Sequence, residues 1–215
     1  MNHILNINSL LFLLIRLSIG SNTFGQEEIT FGTQTWMLHN LNVDVFRNGD
    51  KIPEAHSLEE WENYDKVKQS AWCYYNFDKN NEIKYGKLYN WYAVNDPRNV
   101  APQNWRIPSN MEWEKLILFF EKTGSINKAV GNKTWDLKNN KLNQSGFWLF
   151  QLGGFIENYN MEDIQNEKFK LKGTSSKWWT AEGDYVTIHK KYRFPYRSVG
   201  NTKKYSAYSI RCIKN

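Results

Sequence analysis

The aromatic side chains constrain this chain more than any other feature of its sequence. They comprise 10 Trp, 12 Tyr and 12 Phe, or 16% of the 215 residues, while the mean hydropathy is −0.69. A chain this polar has few aliphatic side chains for a core, but each buried ring removes about 150–250 Å² from water. We therefore expect a core built mainly of rings, with surplus rings available to stack on a ligand.

The first 25 residues differ in character from the rest. An apolar stretch runs from Leu10 to Leu17, interrupted by Arg16, and is followed by the small residues Ser18, Gly20, Ser21 and Gly25. A short apolar run before small residues is typical of a secretory signal, whereas a membrane span needs about 20 apolar residues. We predict a signal peptide at 1–25, a single mature domain at 26–215 with no membrane span, and a secreted or cell-surface location.

The charge balance is mildly basic. Without Arg16 the chain has 27 basic and 22 acidic residues, a net charge of +5, and the basic residues are densest at Lys190, Lys191, Arg193, Arg197, Lys203 and Lys204. Dispersed lysines usually form a solvated exterior. We expect no nucleic-acid partner and a mild preference for an anionic ligand.

Two cysteines are present, Cys73 and Cys212. In an exported protein such a pair indicates a disulfide, and closing a loop of about 140 residues would stabilise the fold by about 4–5 kcal/mol in the entropic model. The alternative is two buried free thiols. Neither cysteine lies in a metal-binding spacing, so we expect no metal there.

Local patterns predict strands around two early helices. Ile29–Leu41 alternates about a turn at Gly32, as in a hairpin, and Ser70–Phe77 resembles another strand. Helical spacing runs from Tyr85 to Asn95, and Ser109 with Glu112 forms a capping box for a second helix that ends at Gly124. The later segments predicted as strands are Gly146–Ile156, Lys177–Ala181, Tyr185–His189 and Tyr205–Ile213. This order indicates an α+β fold.

Seven motifs, taken in order, resemble the Fibrobacter succinogenes major paralogous domain family across nearly the whole mature chain. They are Gly32–Leu41 (GTQTWMLHNL), Ala71–Asn76 (AWCYYN), Tyr85–Asn95 (YGKLYNWYAVN), Trp105–Trp113 (WRIPSNMEW), Ser145–Phe147 with Leu152–Phe155 (SGF, LGGF), Trp178–Glu182 (WWTAE) and Ser209–Ile213 (SIRCI). One departure is Ala101, which stands where the family often has a cysteine.

The resemblance implies a C-type-lectin-like fold, with two early helices packed on short antiparallel strands and long loops. That fold hosts sugar binding, protein binding, adhesion and, in distant sulfatase-modifying relatives, oxidase chemistry, so it does not fix a function. The family itself implies an exported or surface-associated protein without an assigned activity.

The sequence offers little for catalysis or metal binding. His39, His56 and His189 lie in no catalytic motif, and the motifs of calcium-dependent lectins are missing. Glu157, Glu162 and Asp163 share one polar segment, which is either a solvated loop or a source of oxygen ligands for calcium. We favour the solvated loop and expect no catalytic residue, no cofactor and no metal.

Aromatic and cationic residues alternate in the segment that we predict to bind a ligand. Its candidate residues are Tyr185, Tyr192, Arg193, Phe194, Tyr196 and Arg197. In Trp178–Trp179, neighbouring strand residues face opposite ways, so at most one ring could stack on a sugar, and a core role for both is favoured. We predict a noncatalytic surface recognition module, with an acidic polysaccharide as the preferred ligand. The alternatives are a structural or adhesive surface protein and, third, an enzyme related to the sulfatase-modifying oxidases.

Overall fold

The computed structural model describes residues 27–82, 86–122, 175–189, 195–198 and 206–215. The predicted signal and the predicted strand Gly146–Ile156 lie outside these residues. The helices are α1 (Leu58–Lys66), α2 (Trp91–Val94) and α3 (Asn110–Lys122). The strands are β1 (Glu28–Phe31), β2 (Gln34–Met37), β3 (Trp72–Tyr74), β4 (Lys87–Tyr89), β5 (Trp105–Arg106), β6 (Ser175–Trp179), β7 (Tyr185–His189), β8 (Pro195–Ser198) and β9 (Ile213–Lys214).

The strands form three small antiparallel sheets, with orders β1-β2-β9-β5, β3-β4 and β6-β7-β8. The predicted hairpin is confirmed by the pairing of β1 with β2. Gly32 has φ +58° at its turn, a conformation that glycine adopts without strain. Few helices beside small antiparallel sheets confirm the predicted mixture of helices and strands.

The helix predicted at Ser109 is confirmed together with its capping box. The backbone N–H of Ser109 donates to Oε2 of Glu112 at 2.9 Å, and the N–H of Glu112 donates to Oγ of Ser109 at 3.3 Å. Each side chain therefore satisfies a backbone donor that the first helical turn leaves open.

The other two helices differ from the prediction. Tyr85–Asn95 is not one helix, because Lys87–Tyr89 pairs with β3 and only Trp91–Val94 is helical, beginning after Asn90. The amide oxygen of Asn90 accepts hydrogen bonds from the N–H groups of Ala93 and Ala71, so this side chain joins the helix start to the residue that directly precedes β3. Helix α1 was not predicted, since its sequence is polar and places one ring, Trp61, in the core.

Two aromatic clusters meet at β6. The Trp178 cluster comprises Ile29, Phe31, Trp36, Trp113, Leu116, Trp178, Val186 and Ile213. The larger Trp179 cluster includes Tyr89, Trp105, Trp179, Tyr185 and Tyr208. Both tryptophans are fully buried, so the favoured core role for Trp178 and Trp179 is confirmed. Because neighbouring strand residues face opposite sides, each ring packs in a different cluster, and β6 thereby connects these two clusters.

The predicted disulfide between Cys73 and Cys212 is wrong: both are buried free thiols. Cys212 belongs to the Trp179 cluster, whereas Cys73 packs in a third cluster with Trp61, Tyr75 and Leu88. Burial raises the pKa of Cys212 to about 12 and raises that of Cys73 well above its usual value. Both cysteines therefore act as small apolar core residues.

Candidate functional site

The sheet β6-β7-β8 contains the described members of the predicted ligand surface. Tyr185 is only 8% exposed, and its ring centroid lies 5.0 Å from that of Tyr208. It pairs with Trp179 across the ladder, and directly opposed residues share one face of a sheet. Trp179 faces the core, and Tyr185 lies on the same face of the sheet. The prediction that Tyr185 faces solvent is therefore wrong.

The remaining predicted residues divide into two on strand β8 and three outside the described residues. Tyr196 and Arg197 belong to β8, where the register places them opposite Thr187 and Val186. Tyr192, Arg193 and Phe194 lie outside the described residues. By sequence, they fall in the connection 190–194 (KKYRF) between these two strands.

Lys177 is a buried cation on β6 that the sequence did not single out. It is 7% exposed, and its Nζ lies 4.3 Å from the ring centroid of Tyr185 and 5.7 Å from that of Tyr208. Burial lowers the pKa of Lys177 to about 7. The aromatic faces favour the charged form, and desolvation opposes it. A lysine directly before two core tryptophans was the only sequence signal.

A second buried cation joins three of the family-like motifs. Arg211 is 1% exposed, and its guanidinium donates to Oδ1 of Asn40 at 2.8 and 3.0 Å and to the carbonyl oxygen of Leu38 at 2.5 Å. The indole N–H of Trp178 donates to the same Oδ1 at 2.9 Å. Burial lowers the pKa of Arg211 to about 9, which leaves it protonated at neutral pH. The contacts assign Arg211 and Asn40 a structural role.

Other motif side chains also form hydrogen bonds and ion pairs within the domain. The indole N–H of Trp179 donates to the carbonyl oxygen of Tyr89 at 2.8 Å, and the hydroxyl of Tyr89 donates to the carbonyl oxygen of Val43 at 2.8 Å. Arg106 forms an ion pair with Glu112 across the start of α3. These motif side chains are therefore committed to the scaffold.

A mixed-charge cluster lies on the surface formed by two loops. The guanidinium of Arg98 donates to Asp96 at 2.8 Å and to Asp50 at 3.0 Å, and it covers the ring of Phe46 at 4.1 Å. Ser70 donates to Asp96 at 2.8 Å. Hydrogen bonds from Arg98 hold the pKa of Asp96 at about 2. These side chains satisfy one another, so the cluster fixes the two loops.

The histidines form no catalytic arrangement with each other among the described side chains. Nε2 of His39 lies 3.2 Å from Glu27, and Nδ1 of His56 lies 3.5 Å from Glu54, both on the surface. Within the described part of the chain, no group of three or more His, Cys, Asp or Glu side chains could hold a metal ion. Glu157, Glu162 and Asp163, considered above for calcium, lie outside the described residues.

Comparison with known proteins identifies the family of this chain. A family model described as the Fibrobacter succinogenes major domain matches residues 29–214. The chain belongs to this family. The match confirms the resemblance and covers every described element except the first residue of β1. No curated protein and no solved structure matches the chain. Over the described residues, none of this family member's helices is long and apolar enough to cross a bilayer.

Proposed function

We propose that this member of the Fibrobacter succinogenes major domain family is an exported, noncatalytic recognition module that binds glycans. One observation carries the proposal: the motif side chains described above, Trp178, Trp179, Arg211 and Tyr89 among them, are buried in the scaffold. Ligand contact then falls to residues outside the motifs, as is usual for loops on a rigid framework.

The β7–β8 connection is the segment best suited to that contact. It holds Lys190, Lys191 and Arg193 interleaved with Tyr192 and Phe194. Its two flanking strands are hydrogen-bonded to each other, and β7 pairs with β6, which passes between the two clusters. A ligand site at the end of this hairpin would therefore rest on a rigid base, which reduces the entropy lost on binding.

The chemistry of this segment favours an acidic polysaccharide. Aromatic faces stack on the apolar faces of sugar rings, and guanidinium and ammonium groups form charge-assisted hydrogen bonds with carboxylates. Of the predicted ligand residues, Tyr192, Arg193, Phe194, Tyr196 and Arg197 remain in this proposal, while Tyr185 does not because it is buried. A C-type-lectin-like arrangement is the fold that we propose for the complete domain, supported by the small antiparallel sheets and the family membership.

The test is a polysaccharide pull-down and glycan-array screen on residues 26–215, run with two variants. Under this proposal, Tyr192→Ala with Tyr196→Ala should remove binding and leave the melting temperature nearly unchanged, because rings that contact a ligand contribute little to a core. Replacing Lys190, Lys191 and Arg193 by Gln should weaken binding of acidic polysaccharides selectively. The matched control replaces Lys66, Lys115 and Lys122, which are exposed on helices, by Gln.

Two results would count against the proposal. A large loss of stability in the Tyr192 and Tyr196 double variant would show that these rings are buried. Equal weakening by the lysine control would show that binding follows net charge. If residues 26–215 bind no polysaccharide and assemble with themselves, the structural or adhesive alternative is supported instead.

A further inference from the structure

An asparagine followed directly by a glycine lies in the loop between Val45 and Lys51, which pair in an isolated bridge. The pair is Asn48–Gly49, the one Asn-Gly dipeptide in the sequence, and both residues are exposed. Gly49 has φ +92°, a backbone conformation that favours glycine. A Cβ added to Gly49 would contact nothing within 4 Å beyond its chain neighbours in the part of the chain that the structure describes. The turn therefore needs a glycine, and the space beside it is open.

The side chain of Asn48 is held in position by Asp50. Its Oδ1 accepts a hydrogen bond from the backbone N–H of Asp50 at 3.1 Å, and its Nδ2 donates to the carboxylate of Asp50 at 3.0 Å. The same carboxylate accepts from Arg98 at 3.0 Å. A donor at Oδ1 polarises the amide and stabilises the negative charge that this oxygen gains when a nucleophile attacks the carbon. Asn48 therefore presents an activated amide carbon beside the backbone nitrogen of a glycine.

We propose that Asn48 is a site of spontaneous deamidation, in which the backbone nitrogen of Gly49 is the nucleophile. This nitrogen forms a bond with Cγ of Asn48 and gives up its proton, the Cγ–Nδ2 bond breaks, and ammonia leaves. The product is a five-membered cyclic imide that joins the two residues. Water from the solvent then opens the ring at either carbonyl group and leaves aspartate or isoaspartate at position 48. The reaction is independent of glycan binding.

Two backbone hydrogen bonds close this turn. The N–H of Gly49 donates to the carbonyl oxygen of Phe46 at 2.9 Å, and the N–H of Phe46 donates to that of Asp50 at 2.8 Å. The first bond must open before the nitrogen of Gly49 can attack, so the turn limits the rate of the reaction. Isoaspartate adds one carbon to the backbone of the turn. We expect it to break both bonds and to displace Asp50 from Arg98, which would loosen the mixed-charge cluster.

A second asparagine provides a matched control within the same chain. Oδ1 of Asn99 accepts from the backbone N–H of Ala101 at 3.0 Å, so both asparagines accept a hydrogen bond from the residue two positions later. Asn99 is followed by Val100, which is β-branched and 1% exposed. The branched side chain shields the backbone nitrogen of Val100 from the reaction. We therefore expect Asn99 to keep its amide while Asn48 loses it.

The test follows residues 26–215 during incubation at pH 8 and 37 °C. Peptide mapping by mass spectrometry locates each gain of about 1 Da, and enzymatic methylation of isoaspartate distinguishes the two products. Position 48 should gain this mass about tenfold faster than position 99, with isoaspartate among the products. Asn48→Gln should remove the isoaspartate and keep the melting temperature, because its longer side chain would have to close a larger ring.

Three results would overturn the inference. One is a chain that keeps its amide at position 48 throughout the incubation. Another is an equal rate at positions 48 and 99, which would show that Gly49 has no special part. The third is aspartate without isoaspartate at position 48, which would indicate direct hydrolysis of the amide by water in place of attack by Gly49.

Discussion

The side-chain oxygen of Asn40 accepts hydrogen bonds from Arg211, which lies 171 residues further along the chain. It also accepts one from the indole of Trp178. One amide oxygen therefore holds together three motifs of the family, and the buried guanidinium depends on it for two of its hydrogen bonds.

Replacing this acceptor should be strongly destabilising. Asn40→Leu leaves the buried charge of Arg211 and the indole N–H of Trp178 without this partner, and losing the acceptor of a buried donor costs about 1–3 kcal/mol, more when the donor is charged. Urea unfolding followed by Trp fluorescence measures the change in the free energy of unfolding. The control is the neighbouring His39→Ala, which removes only an exposed contact to Glu27 and should cost less than about 1 kcal/mol. Equal effects of the two variants would contradict the role of Asn40.

Lys177 should make the stability depend on pH. Its pKa is about 7 in the folded protein, compared with an ordinary value of 10.5. Between these values the unfolded chain holds a proton that the folded chain lacks, so the free energy of unfolding should rise with pH by up to about 1.4 kcal/mol per unit. Below pH 7, Lys177 is protonated in both states and contributes no dependence.

Chemical denaturation at pH 6 to 8 tests this expectation, because at higher pH the unfolded chain also loses the protons of Cys73 and Cys212, which acts in the opposite direction. Lys177→Met keeps an apolar side chain beside Tyr185 and Tyr208 and should remove the rise. Lys115→Met, at an exposed position on α3, should retain it. A rise of the same slope in all three proteins would assign it to other groups.

The capping box of α3 gives a graded prediction. Ser109→Ala should lower the free energy of unfolding by about 0.5–2 kcal/mol. Glu112→Gln should cost more, since Glu112 accepts from Ser109 and also forms the ion pair with Arg106. Thermal melts of both variants are compared with Glu114→Gln, an exposed change on the same helix that should leave the melting temperature nearly unchanged.

The two free thiols should be protected in the folded protein. Cys73 and Cys212 are fully buried and burial raises both pKa values, so a disulfide reagent should react slowly at pH 8 without denaturant. In 6 M guanidinium without reductant, two equivalents should react at once. A non-reduced intact mass about 2 Da below the reduced mass would instead indicate a bridge.

Sequence reasoning succeeded where the determinants are local. The hairpin at Gly32 and the capping box at Ser109 and Glu112 depend on residues a few positions apart, and the alternation of Trp178 and Trp179 follows from strand geometry alone. These features need no knowledge of which elements meet.

Sequence reasoning failed where contacts between residues distant in the sequence determine whether a side chain is buried. Tyr185 lies in a stretch rich in cations, yet its place opposite Trp179 buries it. A pair of cysteines in a chain predicted to be exported suggested a disulfide, but Cys73 and Cys212 pack in different clusters. Lys177 and Arg211 are ordinary surface residue types in the sequence, and only the assembled core shows that both are buried. Of the predicted ligand residues, Tyr185 is the one whose burial the described structure determines.

The sheet β1-β2-β9-β5 also sets the order in which this domain can become complete. Its first hairpin, β1–β2, forms from neighbouring residues, but β2 obtains its second neighbour only when Ile213 arrives beside Trp36. Contacts between such distant residues slow folding, because much chain entropy is lost before they form. A growing chain that has reached residue 205 still lacks the strand that joins β2 to β5. Before residues 206–215 are in place, the rings that pack against Tyr208, such as that of Trp179, lack this cover and are accessible to chaperones and proteases.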